Sequence, residues 1–128
     1  MNVAAILAAV IVPSAGPPPM PGDAQLYVRI EDQLLRVEAG AGGDCGAHIP
    51  AALHRVVDLR YDLRRLQRYV EGDPEWTRLD REARARRAEQ LCITHSVVPL
   101  LLRDARRDLA ILQLNARRAG YYRNGQRD

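Results

Sequence analysis

Ile49, Ala52, Val56, Leu59, Leu63, Leu66 and Val70 recur without a break at spacings of three and four residues. At 3.6 residues per turn, that pattern puts all of them on one face of an α-helix and leaves the other face to charge. A half-buried strand needs a period of two, so this segment is not part of a sheet. A helix with such a seam holds together mainly by packing it, which demands further helices of similar length. Pro50 fits the first turn, where its missing N–H leaves no bond unmade, and Gly72 marks the end.

Two other segments supply partners. Tyr27, Ile30, Leu34, Val37 and Ala41 form a second seam, with Asp23 as the expected N-cap and Gly40-Ala41-Gly42-Gly43 as the stop. Leu26, Val28 and Ile30 also alternate, so a β-hairpin is the rival reading of residues 24–39. The alternation soon stops, and Glu31-Asp32-Gln33 makes a poor hairpin turn, which favours helix. A third seam runs through Leu91, His95, Val98, Leu102, Ala105, Leu109, Leu112 and Ala116. Pro99 interrupts it and cannot donate to the His95 carbonyl, so the helix either kinks or restarts with Ser96 as cap. Gly120 ends it. Before that seam, Asp73-Pro74-Glu75 reads as the opening of another helix: a cap, a first-turn proline and an acid at the positive end of the dipole. Its short connection to the preceding helix predicts an antiparallel helical hairpin. The expected fold is an all-α bundle of three to four helices over residues 24–120, followed by a polar tail at 121–128.

The N-terminus differs from the rest. Val3–Val12 is apolar, Pro13-Ser14-Ala15-Gly16 follows, and Pro17-Pro18-Pro19 comes next. The apolar run is about half the roughly twenty residues that a membrane span needs, and it matches the core of a signal peptide. Residues 1–16 are thus read as a signal segment and 17–23 as a Pro/Gly linker. No Lys or Arg precedes the run, and prolines crowd the candidate cleavage sites. A cytoplasmic protein with an apolar arm is therefore the alternative to a periplasmic or secreted one.

The chain has 128 residues, 47% of them hydrophobic, which suits one domain and excludes a disordered chain. With no Phe and one Trp, the core must be mainly Leu, Val, Ile and Ala. The 19 basic residues are all Arg. Residues 1–50 hold two of them against five acids, and residues 51–128 hold seventeen against eleven, balances of −3 and +6. The basic part favours anionic partners.

Cys45-Gly-Ala-His48 and Cys92-Ile-Thr-His95 share the spacing Cys-x-x-His. In an exported protein the two cysteines are expected to form a Cys45–Cys92 disulfide, with no cofactor. Alternatively the thiols stay free, or Cys45, His48, Cys92 and His95 hold zinc or another soft metal tetrahedrally. No nucleophilic triad suggests itself: Ser14 and Ser96 are the only serines, and Ser96 and His95 project apart on a helix. The acid pairs Asp58/Asp62 and Asp104/Asp108 sit among arginines and read as surface ion-pair ladders. Arg60, Arg64 and Arg68 form an i, i+4 stripe, with Tyr61, Arg65 and Tyr69 beside it. These make Arg60, Arg64, Arg65 and Arg68 the candidate site for an anionic surface, against the plainer reading of a solvated helix face. The expectation is a non-enzymatic, exported binding protein whose partner is a protein or an anionic envelope component. It has no membrane span and is either a homodimer or a monomer that buries every seam. A metal-binding helical protein and a cytosolic arginine-rich nucleic-acid binder are the alternatives; export disfavours nucleic acid as a partner.

Overall fold

The first two seams each become one helix, and the third does so from Val98 onward. The computed structural model describes residues 18–42, 49–74, 76, 78 and 95–121. Helix α1 runs Asp23–Gly42, α2 Pro50–Glu71 and α3 Val98–Arg118. No strand occurs among the described residues, so residues 24–39 are helix and not hairpin. Tyr27, Ile30, Leu34, Val37 and Ala41 of α1 are buried. So are Ala52, Val56, Leu59, Leu63, Leu66 and Val70 of α2, and Val98, Leu102, Ala105, Leu109, Leu112 and Ala116 of α3. Ile49 packs at the core edge, partly exposed.

The helix ends correct two details. Met20-Pro21-Gly22-Asp23 forms a tight turn, with the Asp23 N–H donating to the Met20 carbonyl at 3.1 Å and Gly22 at φ +88°. A positive φ at the third position of such a turn favours glycine. The Gly22 carbonyl accepts the first helical bond, from the Leu26 N–H at 3.0 Å. Gly22 therefore caps α1, and Asp23, expected as the cap, is its first residue. At Pro99 the chain restarts rather than kinks. A 3-10 turn, His95–Val97, leads into α3, and Val97 takes the N-cap position in place of Ser96. Pro99 lies in the first turn, where no N–H is needed. Gly120, at φ +91°, closes α3: its N–H donates to the Arg117 carbonyl at 3.0 Å, and that of Tyr121 to the Ala116 carbonyl at 2.8 Å. This Schellman pairing reverses the chain. It lays Tyr121 against Tyr69, with ring centroids 5.6 Å apart.

Helix α1 is antiparallel to both others. The Ile49 N–H at the start of α2 donates to the Ala41 carbonyl at the end of α1. Asn115 near the end of α3 reaches Asp23 at the start of α1. The C-terminal ends of α2 and α3 meet at Tyr69 and Tyr121, so these two run parallel. Where a helix is expected to open at Asp73-Pro74-Glu75, Pro74, Trp76 and Arg78 have helical backbone, and the Trp76 ring meets Tyr27 edge-on at 5.6 Å; the rest of that expected helix lies outside the described residues. The expected pairing of that helix with α2 falls on residues outside the described ones, as do the signal segment 1–16 and most of the tail. The antiparallel hairpin among the described residues is α1–α2. No described helix is long and apolar enough to cross a membrane.

Candidate functional site

Among the described residues, two polar nodes lie inside the bundle and charged stripes lie outside it. The first node centres on Asp108, which is completely buried. Arg29 of α1 donates to it from Nε at 2.8 Å and from Nη2 at 3.2 Å. Gln33 donates from Nε2 at 3.2 Å, and Arg107 adds Nη2 at 3.2 Å. Burial alone would raise the Asp108 carboxyl. Hydrogen bonds from Arg29 and Gln33, the Arg29 charge and the Arg107 bond outweigh it and hold the group below its ordinary value. The surface ladder expected for Asp104 and Asp108 is thus half right. Asp104 pairs with Arg103 and Arg107 at the surface, while Asp108 turns inward.

The second node joins the ends of the helices. Asp23 accepts from the Met20 N–H at 2.9 Å and from Asn115 Nδ2 at 2.9 Å. The Met20 N–H also reaches the Tyr69 hydroxyl at 3.1 Å. Burial, then the hydrogen bond to Asp23, push the Tyr69 phenol up to about 12. The first node pairs its carboxylate with guanidinium groups, and the second holds the Asp23 carboxylate by hydrogen bonds from neutral donors. They pin helix ends and helix rotation, which is structural work.

The expected ligand residues are differently placed. Cys45, His48 and Cys92 lie outside the described residues, and the backbone of His95 starts the 3-10 turn. Among the described residues no group of three His, Cys, Asp or Glu is arranged to hold a metal.

The arginine stripe divides. Arg60 is committed to α1: Nη1 meets Glu31 at 3.2 Å and Nη2 meets Glu38 at 2.9 Å. Arg65 is half-buried and stacks over the Tyr61 ring, 6.0 Å from its centroid. Arg64 and Arg68 are exposed. At about 100° per residue, they share an arc of about 60° with Val57 and Tyr61, which are 66% and 63% exposed. The outer face of α2 is therefore two arginines interleaved with two of the most exposed large apolar side chains. Val57 was not singled out in the sequence, although it precedes Tyr61 and Arg64 at the same three-four spacing.

Comparison with known protein families, with curated proteins and with solved structures finds nothing that matches this chain.

Proposed function

We propose that this is a non-catalytic binding protein of the cell envelope that docks on anionic lipid through the outer face of α2. The observation that carries the reading is the Val57–Tyr61–Arg64–Arg68 stripe. Two exposed guanidinium groups stand beside exposed apolar surface, while Arg60, one turn earlier, is neutralised by Glu31 and Glu38. A guanidinium takes the phosphate of a headgroup, and the adjoining Tyr and Val gain from the less polar layer beneath it. The signal-like segment supports the envelope as the setting and a periplasmic or secreted destination.

The test is co-sedimentation with vesicles of one part phosphatidylglycerol to three parts phosphatidylcholine. Each arginine near an anionic surface contributes about 1 kcal/mol, so the double variant Arg64→Gln/Arg68→Gln should weaken binding through this face about thirtyfold with its thermal stability unchanged. Binding by the parent should weaken with salt, because exposed charges are screened beyond about 8 Å at physiological ionic strength. Binding to neutral vesicles as strong as to anionic ones refutes the reading.

A further inference from the structure

We infer that the protein carries a second anionic-lipid docking face on α3, pointing away from the first, so that one molecule bridges two anionic bilayers. This rests on the reading of α2 given above and extends it.

At about 100° per residue, Leu100, Arg103, Arg107, Ile111, Leu114 and Arg118 share the face of α3 opposite its buried seam. All six are exposed, with Arg106 and Arg117 exposed beside them. Leu100, Ile111 and Leu114 keep 48%, 42% and 41% of their surface in solvent. Among the described residues of α3, the acid beside this face is Asp104, 29% exposed at its side chain and held by Arg103 at 3.4 Å and Arg107 at 3.6 Å. Asp108 turns inward to Arg29 and also pairs with Arg107 at 3.2 Å, which leaves Arg103, Arg106, Arg117 and Arg118 to carry the charge of the face. The face is thus rich in positive charge and carries three aliphatic side chains. The charge selects an anionic partner. The aliphatics select among anionic partners: a polysaccharide or nucleic acid backbone offers them nothing, whereas a bilayer interface takes guanidinium groups at headgroup level and short aliphatics just below.

The two faces diverge because of how the helices are turned. On α2, Tyr69 marks the flank that meets α3 near Tyr121, and Arg60 marks the flank that meets α1. The Val57–Arg68 stripe lies beyond Arg60, on the side away from α3. On α3, Asp108 and Asn115 mark the flank that meets α1, and the Leu100–Arg118 stripe lies beyond them, on the side away from α2. Each stripe therefore leaves the parallel α2–α3 pair on its outer side, and the two point in opposite directions. A protein with one lipid-binding face coats a vesicle, whereas one with two opposed faces also joins vesicles.

The experiment uses the full chain and the same phosphatidylglycerol–phosphatidylcholine vesicles. Binding is read by co-sedimentation, and bridging by energy transfer between donor- and acceptor-labelled vesicles. The parent should bind and bridge, and bridging should fall when excess protein saturates every vesicle separately. The variant Arg103→Gln/Leu114→Ser/Arg118→Gln spares Arg107, which touches Asp108. It should melt like the parent and still bind through α2, but bridge at least about fivefold less, and adding Arg64→Gln/Arg68→Gln to it should weaken the remaining binding about thirtyfold; undiminished binding there overturns the α2 reading. Binding without bridging by the parent overturns the second face and leaves the α2 reading standing. Absence of binding overturns both. Bridging undiminished in the variant overturns the assignment to α3. A parent that sediments as a dimer beside a monomeric variant makes α3 a self-association face, which also overturns the inference.

Discussion

Replacing Asp108 with alanine removes the acceptor around which α1 and α3 set their rotation. The carboxylate is completely buried and takes two bonds from Arg29, one from Gln33 and two from Arg107. Breaking a fully buried ion pair costs about 3–5 kcal/mol, because the surviving charge is stranded. Here the stranding is partial. The Arg29 and Arg107 side chains are 56% and 60% exposed, so both guanidinium groups can return to water. Gln33 cannot: it is 7% exposed, and its Oε1 is already buried without a hydrogen-bond partner. Losing the acceptor for its Nε2 as well costs about 1–2 kcal/mol, and the charge-assisted bonds of Arg29 add about 1 more after resolvation. The expected loss is about 2–3 kcal/mol near neutral pH, read from urea denaturation followed by circular dichroism. Its pH dependence has a definite sign. The folded-state pKa of Asp108 is depressed, so its contribution is present above the unfolded value, about 4, and is lost as pH falls through the folded value. The gap between parent and Asp108→Ala should therefore be widest near neutrality and close in acid. A gap below about 0.5 kcal/mol at neutral pH, the usual scatter of surface substitutions, refutes the account. So does a gap that keeps its full size in acid.

Tyr69→Phe should cost about 1 kcal/mol for the lost hydroxyl bonds. Because the Tyr69 phenol is pushed up to about 12 in the folded state, the parent should lose stability from about pH 10 upward through that value. The phenylalanine variant should lack that increment, as an alkaline denaturation series will show. Gly120→Ala forces a side chain into φ +91°, and should cost about 1–2 kcal/mol with little effect on helix content. Intact mass of protein from its native host should be short by about fifteen or sixteen N-terminal residues, and two protons lighter for a Cys45–Cys92 bridge. Full-length protein with two free thiols refutes export. If that form also binds zinc one-to-one with a loss in His95→Ala, the Cys-x-x-His pairs are a metal site.

Helix identity and the buried face of each helix were legible in the sequence, because both follow from local periodicity. Residues three and four apart stack on one face whatever else the chain does. Tyr27 to Ala41, Ala52 to Val70 and Val98 to Ala116 were therefore readable as core before any tertiary contact was known, and Gly120 was readable as a stop because glycine takes a positive φ without strain. Which charged residue meets which was decided only by the tertiary structure. Asp108 and Arg29 are 79 positions apart, Asp108 and Gln33 75, and Arg60 and Glu31 29. Their pairing depends on how far each helix is rotated about its own axis, which packing of whole seams sets and no single seam records. That rotation buries Asp108 while leaving Asp104 in water, four residues away on the same helix. It ties Arg60 to α1 while leaving Arg64 and Arg68 exposed, and it turns the outer stripes of α2 and α3 away from each other.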